Sequence, residues 1–482
     1  MSSVYKQYIG GAWVDASHGG TWDVIDPATE LAIVTVPFGD GTDCRLALDS
    51  AEQALPAWSR ATAYTRASYL RNAADRIRSR VERLAEVTVG ESGKPLAQAK
   101  GEWQVAADLF EWFGEEAKRA YGRVIPSRVA SKRMMVLKQP IGVVGVITAW
   151  NFPAYNPVRA WAAALAAGCT VVARPSEYTP LTAMELANVL HEVELPAGVL
   201  NLVNGEPGPM GQALLESPIC RKISFTGSVR VGRILMDGAS RTFKRLSLEL
   251  GGNAPVLIFP DADLDLVARS AVSAKFRNAG QVCISPQRFF VHASCAEEFS
   301  ERVVPQVKNL RIGHGLSPET DVGPLINQAQ RERVEAMVVD ARSRGVSVLA
   351  GGSRPGGIEQ GFFFEPTVLS GVQPDLPIFS EEIFGPVLPI ASFDDVDEAI
   401  AAANRTDYGL AAYVWTRDIH TAIRCYEGLE FGMIGVNEWA PQATEAPFPG
   451  WKSSGLGSES GQEGLEEYLE TKLVAFGGLP KA

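Results

Sequence analysis

The chain has 482 residues, 46% of them hydrophobic, which allows two or three domains with sizeable cores and excludes a disordered or fibrous protein. Its net charge of −11 and isoelectric point near 5.2 exclude a general affinity for nucleic acid or an acidic membrane surface and point to small-molecule partners. The six cysteines are scattered with no CxxC pair and the five histidines are equally dispersed, so neither a disulfide framework nor a metal site is indicated, and a reducing compartment is expected.

The opening stretch MSSVYKQYIGGAW has neither an apolar signal core nor the Arg-rich look of a transit peptide. The most apolar run, 161–173, is shorter than the ~20 residues that span a bilayer, so a cytoplasmic protein without membrane contact is expected. Residues 8–14, with Gly10 and Gly11, read as a short hairpin, and 21–25 as a second extended piece before Asp26 and Pro27. Helical spacing over 44–117 predicts three helices, with Pro56 starting or breaking one and Gly93, Lys94 and Pro95 punctuating another. Trp103, Phe110, Trp112 and Phe113 fall on the last of these, as core or as the wall of a substrate channel.

Residues 124–140 are extended, as is 468–475; two exposed strands from distant parts of a chain are an aggregation hazard unless a second subunit covers them, which predicts a homodimer or homotetramer. From 143 to 249 strands and helices alternate: strands at 143–147, 170–173, 199–202, 222–225 and 245–249, helices at 157–167, 180–191, 208–215 and 229–239. Such βαβ units imply a parallel sheet with helices on both faces and ligands outside the carboxyl ends of the strands. A second α/β region follows Asn253, with a strand at 256–259, a helix at 264–276, further alternation through 288–292, 296–310, 330–344 and 346–350, and closing strands at 411–415 and 433–437.

Two stretches carry chemistry. FRNAGQVC, 276–283, delivers a single cysteine, Cys283, out of small and polar residues, and a partly exposed cysteine near backbone donors is a candidate nucleophile. LELGGN, 248–253, sets Glu249 between two leucines at a strand end; desolvation of its charged form raises its pKa toward that of a useful general base. Together they suggest acyl chemistry through a thioester.

The chain resembles the aldehyde dehydrogenase superfamily, which carries LELGG with the base and FxxxGQxC with the nucleophile. Further matches are ITAWNFP (147–153), ARPSEYTP (173–180), FTGSVRVG (225–232), EEIFGPV (381–387) and APFPGWKSSG (446–455), the last with Pro449 where the family has glycine. The resemblance implies an aldehyde dehydrogenase-like α/β fold. Its parts are a Rossmann-type cofactor domain (1–120 and 141–250), an α/β catalytic domain (251–440) and a β oligomerisation arm (121–140 and 441–482). It also implies that Cys283 attacks an aldehyde, that Asn151 with the Cys283 N–H forms an oxyanion hole, and that Glu249 activates water to free the acid rather than passing the acyl group to coenzyme A. Cofactor contacts are implied for Trp150, Arg174, Ser176, Glu177, Phe225, Gly227, Ser228, Gly232, Leu250, Glu382 and Phe384. The cofactor is NAD, because Glu177 can accept both ribose hydroxyls and repel a 2′-phosphate; Arg174, where the family has lysine, keeps NADP open.

For the substrate, Arg159 and Arg277 occupy positions where, in succinic semialdehyde dehydrogenases, arginines grip the distal carboxylate, and Phe448 joins the pocket by the same resemblance. Arg159 in the first turn of its helix opposes the macrodipole by roughly 0.3–1 kcal/mol and so has an anion to meet. Gln442 stands nearest the place of a serine that those enzymes carry, which leaves chain length open. The alternatives are internal acid partners for both arginines in a general aliphatic or aromatic aldehyde dehydrogenase, or a catalytically retired binding protein.

Overall fold

The computed structural model describes residues 5–478. The first four residues, part of the opening stretch and of the segment 1–120, and the last four, part of 441–482, lie outside the described residues.

The chain builds two sheets in succession. The first has eight strands in the order Ala12–Val14, Gln7–Ile9, Leu200–Leu202, Thr170–Arg174, Val143–Ile147, Cys220–Thr226, Arg245–Glu249 and Gly455–Leu456. The inner strands, from Leu200–Leu202 across to Arg245–Glu249, run parallel, and the outer pairings, Gln7–Ile9 with both of its neighbours and Gly455–Leu456 with Arg245–Glu249, are antiparallel. Strand order reverses between Val143–Ile147 and Cys220–Thr226, and at such a reversal the crossover loops part and leave a crevice at the carboxyl edge. The central strands are buried on both faces, apart from Arg221 near the start of Cys220–Thr226, because helices cover them, as a parallel sheet requires.

Arg245–Glu249 ends the first sheet, and Ala254–Ile258 begins the second, with only Leu250 to Asn253 between them. The second sheet runs Ser347–Ala350, Thr367–Ser370, Val387–Phe393, Pro286–His292, Ala254–Ile258, Ala411–Trp415 and Met433–Val436, parallel except for its first pair. A separate antiparallel sheet joins Arg123–Ile125, Arg133–Pro140 and Leu469–Phe476, and leaves Val124, Leu473 and Phe476 exposed. No helix among the described residues is long and apolar enough to cross a membrane.

Several elements differ from the sequence expectation. The region 44–117 forms four helices, Gly41–Arg60, Ala63–Arg78, Val81–Ser92 and Leu96–Glu116. Pro56 neither starts nor breaks the first; it lies inside it on the exposed face, where water can satisfy the carbonyl that proline leaves without a donor. The segment 124–140 is two strands with a turn between them rather than one. Strands Ala32–Pro37, Thr367–Ser370 and Val387–Phe393 and helices Val396–Asn404 and Ile419–Gly428 were not anticipated. The C-terminal segment also returns to the first sheet, where Gly455–Leu456 pairs with Arg245–Glu249.

Candidate active site

The seam between the two sheets holds Glu249 and Cys283. Glu249 is the last residue of its strand and is buried. A Cβ added at Gly251 would lie 2.5 Å from Glu382 Oε2, and one at Gly252 would lie 2.3 Å from the Cys283 carbonyl oxygen. The double glycine is therefore what lets the seam pass between the Cys283 backbone and Glu382.

Cys283 follows helix Leu264–Phe276, whose N-cap Asp263 accepts the Leu266 N–H at 3.1 Å. Asn278, Ala279 and Gly280 then run consecutively in the left-handed region, with φ of 49°, 53° and 74°. Such a conformation costs an alanine roughly 1–2 kcal/mol and persists only where the surroundings fix it. Here the Asn278 N–H donates to Gln98 Oε1 at 2.8 Å, and its side-chain amide donates to the carbonyls of Asn151 at 3.0 Å and Gln281 at 3.3 Å. Of the six cysteines, all free, only Cys283 is not buried. Desolvation and the charge of Glu249 push its thiol well above the usual range, so the resting group is protonated.

Burial lifts Glu249 to about 7, against the opposing pull of Arg159, whose Nη2 lies 3.5 Å from Oε2. Its other oxygen, Oε1, is buried with no hydrogen-bond partner among the described residues, which is where a water or reacting group finds an acceptor. Asn151 is held by its neighbours: Asn156 Nδ2 donates to its Oδ1 at 3.0 Å, which turns Nδ2 toward the nucleophile turn, where it donates to the Gln281 carbonyl at 3.2 Å.

A cavity of about 380 Å³ reaches Cys283 and is lined by Arg159, Arg277, Phe448, Phe152, Tyr155 and Gln442, among others. All three residues expected around a substrate thus border one space. The helix Leu96–Glu116 does face this cavity, but through Gln98, Gly101, Glu102 and Val105; Trp103, Phe110 and Phe113 turn into the core. The two arginines differ. Arg159 is buried between the rings of Tyr155 and Phe448, 4.7 and 4.6 Å from their centres, with Nε 2.9 Å from Glu459 Oε2. Its helix begins at Tyr155, so it stands beyond the first turn, and the anions it meets are internal acids. Arg277 is half-buried, 5.4 Å from the centre of the Phe152 ring, and among the described residues no carboxylate lies within ion-pair distance of it. Gln442 also faces the cavity, its amide oxygen buried and without a hydrogen-bond partner among the described residues.

On the other side of Cys283 a cleft of about 310 Å³ collects Trp150, Asn151, Gly227, Ser228, Glu249, Leu250, Glu382 and Phe384. It lies at the carboxyl edge of the first sheet where strand order reverses. Ser228 caps helix Val229–Ser240, accepting the Val231 N–H at 3.4 Å, and the first-turn N–H groups of a helix suit a pyrophosphate. Glu382, which accepts the Gly252 N–H at 2.9 Å, is lifted by burial to about 7. Phe384 has a left-handed φ of 51° and meets Trp150 edge-on, ring centres 5.4 Å apart. Arg333, which the sequence did not single out, donates to the carbonyls of Ile383 at 3.0 Å and Glu382 at 2.7 Å and so fixes that turn. An acceptor for ribose, a helix N-terminus and aromatic rings fit a nicotinamide dinucleotide.

The remaining residues expected at a cofactor lie outside this cleft. The Phe225 ring is buried beneath Gly227, and Gly232 packs against Leu250. Arg174, Ser176 and Glu177 stand at the end of the neighbouring strand, where Arg174 pairs with Glu177 at 2.6 Å and donates to the Gly205 carbonyl at 2.9 and 3.1 Å. Among the described residues no group of three or more His, Cys, Asp or Glu is placed to hold a metal ion. Lys94, Glu102, Tyr155 and Glu459 were also missed at the site, since nothing in their local sequence marks them as turned inward.

A profile of the aldehyde dehydrogenase family matches residues 13–474. The chain is 43% identical to an NADP(+) succinate-semialdehyde dehydrogenase of Escherichia coli, covering 99% of each chain. It is 44% identical to a glutarate-semialdehyde dehydrogenase of Pseudomonas putida, over 98% of this chain and 97% of that one. Among solved structures, succinate-semialdehyde dehydrogenase from Burkholderia pseudomallei superposes with a TM-score of 0.97 at 43% identity, covering 98% of each.

Proposed function

Because the chain belongs to the aldehyde dehydrogenase family, we propose that it oxidises a carboxylate-bearing semialdehyde, with succinic semialdehyde the first candidate, to the corresponding diacid using a nicotinamide cofactor. The observation that carries the substrate is Arg277. It borders the cavity that reaches Cys283 and has no acid partner among the described residues, and a half-buried guanidinium facing an apolar-walled space favours a ligand that brings a carboxylate. Arg159 adds positive potential to the same cavity, although its nearest counter-ions are Glu459 and Glu249.

In this reading Cys283 Sγ forms a bond to the aldehyde carbon while its proton passes to Glu249, and the carbonyl oxygen becomes an oxyanion met by Asn151 Nδ2 and the Cys283 N–H. The bound cofactor supplies the hydride acceptor, held by Trp150, Gly227, Ser228, Glu382 and Phe384. After loss of hydride has left an acyl group on Cys283 and the proton taken up in the first step has passed to solvent, Glu249 takes a proton from water, whose oxygen adds to the acyl carbon. The C–S bond then breaks, the proton returns to Cys283 Sγ and the free acid leaves; a buried carboxylate lifted to about 7 is suited to both transfers. NAD is the favoured cofactor, because the Arg174 guanidinium is engaged by Glu177 and the Gly205 carbonyl while Glu177 repels a 2′-phosphate. The exposed apolar residues of the antiparallel sheet suit coverage by a second copy in a homodimer or homotetramer, and the six free cysteines suit the cytoplasm.

The test is cofactor reduction with succinic semialdehyde, glutaric semialdehyde and butanal at matched concentrations, each with NAD and with NADP. A large preference for the carboxylated aldehydes is expected. Equal or better turnover of butanal would make Arg277 structural and the protein a general aldehyde oxidiser.

A further inference from the structure

Lys94 and Glu102 form a fully buried ion pair, Nζ to Oε2 2.5 Å, with no part in the chemistry above. Taking both charges out of water costs several kcal/mol per ion, so the pair is retained against a penalty that an apolar contact would not carry. Their remaining bonds all run to one segment. Lys94 Nζ donates to the Asn151 carbonyl at 2.8 Å and lies 4.3 Å from the centre of the Phe152 ring. Glu102 Oε1 accepts the N–H groups of Ala154 at 2.7 Å and Tyr155 at 3.1 Å. Helix Tyr155–Ala167 has no cap from its own N-cap residue, Ala154, so Glu102 supplies both the acceptor and the negative charge that a helix N-terminus favours. The pair therefore clamps residues 151–155 at both ends. The Asn278 amide reaches the same Asn151 carbonyl at 3.0 Å and ties the clamp to the turn that delivers Cys283.

We propose that Lys94 and Glu102 are positioning residues for the Asn151 amide, fixing its main chain so that Nδ2 meets the oxygen of the adduct on Cys283. The inference rests on the reading of Asn151 as the oxyanion donor. It adds two residues from the helical region of the N-terminal half that touch neither the reacting sulfur nor the cofactor cleft.

The test compares kcat and KM for succinic semialdehyde in Glu102→Gln, Asn151→Ala and the double variant, with the thermal midpoint of each. Glu102→Gln keeps an acceptor for the two N–H groups and removes the charge that holds Lys94. It is expected to lower kcat about 10- to 100-fold, as a displacement of about 1 Å does, with KM changed by no more than about twofold. In the Asn151→Ala background it is expected to cost nothing further, because the amide it positions is gone. Where Glu102→Gln does not fold, Glu102→Asp, which keeps the charge and shortens the reach, is expected to show the same kcat loss. Full kcat in Glu102→Gln, or an equal loss in both backgrounds, would overturn the inference while a slow Asn151→Ala left the oxyanion reading standing. Full kcat in Asn151→Ala would overturn both.

Discussion

Glu459 Oε2 lies 2.9 Å from Arg159 Nε, closer than Glu249 Oε2 at 3.5 Å from the same guanidinium, so the nearer counter-ion of this buried cation is an acid the reaction does not use. Glu249 is lifted mainly by burial; Arg159 opposes that lift and the charge of Glu459 adds to it. Glu459→Gln should therefore leave Arg159 more fully to Glu249 and lower the pKa of the base. The acid limb of the rate profile is expected to move below its wild-type position, with a stability loss on the order of 3 kcal/mol from breaking a buried pair. A pH profile and a urea titration read the two effects, and an unmoved acid limb would mean that Glu459 acts on stability alone.

With Glu249 lifted to about 7, its proposed role as the base predicts the pH dependence of the wild type. The base works as the carboxylate, so hydrolysis of the acyl group on Cys283 should rise with pH through about 7, level above it, and fall as Glu249 protonates below it. Single-turnover hydrolysis followed from about pH 5.5 to 9 checks this. Glu249→Gln should abolish the rise, and a flat wild-type profile would remove Glu249 from the role.

Arg277→Phe should separate the two kinds of substrate. Hydrogen bonds to a charged group contribute about 1.5–3 kcal/mol, so kcat/KM for succinic semialdehyde should fall by about 10- to 100-fold while butanal changes by only a few fold. Equal losses for both aldehydes would place Arg277 in the scaffold rather than at the substrate.

The Arg174–Glu177 pair, 2.6 Å apart, predicts a cofactor switch. Glu177→Gln removes the charge that repels a 2′-phosphate and frees a guanidinium to meet it, so the ratio of kcat/KM for NADP to that for NAD should rise about tenfold, or ~1.4 kcal/mol. An unchanged ratio would mean that the end of strand Thr170–Arg174 does not reach the adenosine ribose.

How far the sequence reaches depends on whether the deciding contacts are local. Strand Arg245–Glu249 and helix Leu264–Phe276 follow from their own apolar spacing and stand at the expected bounds, and with them the placement of Glu249 and Cys283. Strand Val387–Phe393 begins directly after the Gly385–Pro386 step and contains Pro389, both of which disfavour a strand; it is one because Pro286–His292 and Thr367–Ser370 pair with it on either side. Glu459 sits in GSESG, a run of turn residues, and is buried where Arg159, 300 positions upstream, and Ser224 come to meet it. Lys94 and Glu102 flank the start of a helix and read as surface charge. Burial of a charge is decided by which partner arrives from elsewhere in the chain, and no local pattern records that.

The step from Glu249 through Gly251 and Gly252 to Ala254 places the proton acceptor at the end of one sheet and lets the carbonyl of the thiol-bearing residue rest against the first strand's approach to the next. Glu249 and Cys283 are thus mounted on separate layers, joined by the short stretch 250–253 and again by the longer return 437–454. A slip of one layer over the other would be felt first as misalignment of sulfur and carboxylate, well before either core had lost an apolar contact. Turnover is in that sense the most sensitive gauge of how tightly the layers are joined, and substitutions that loosen their contact far from any reacting atom should slow the enzyme at temperatures where its unfolding is not yet measurable.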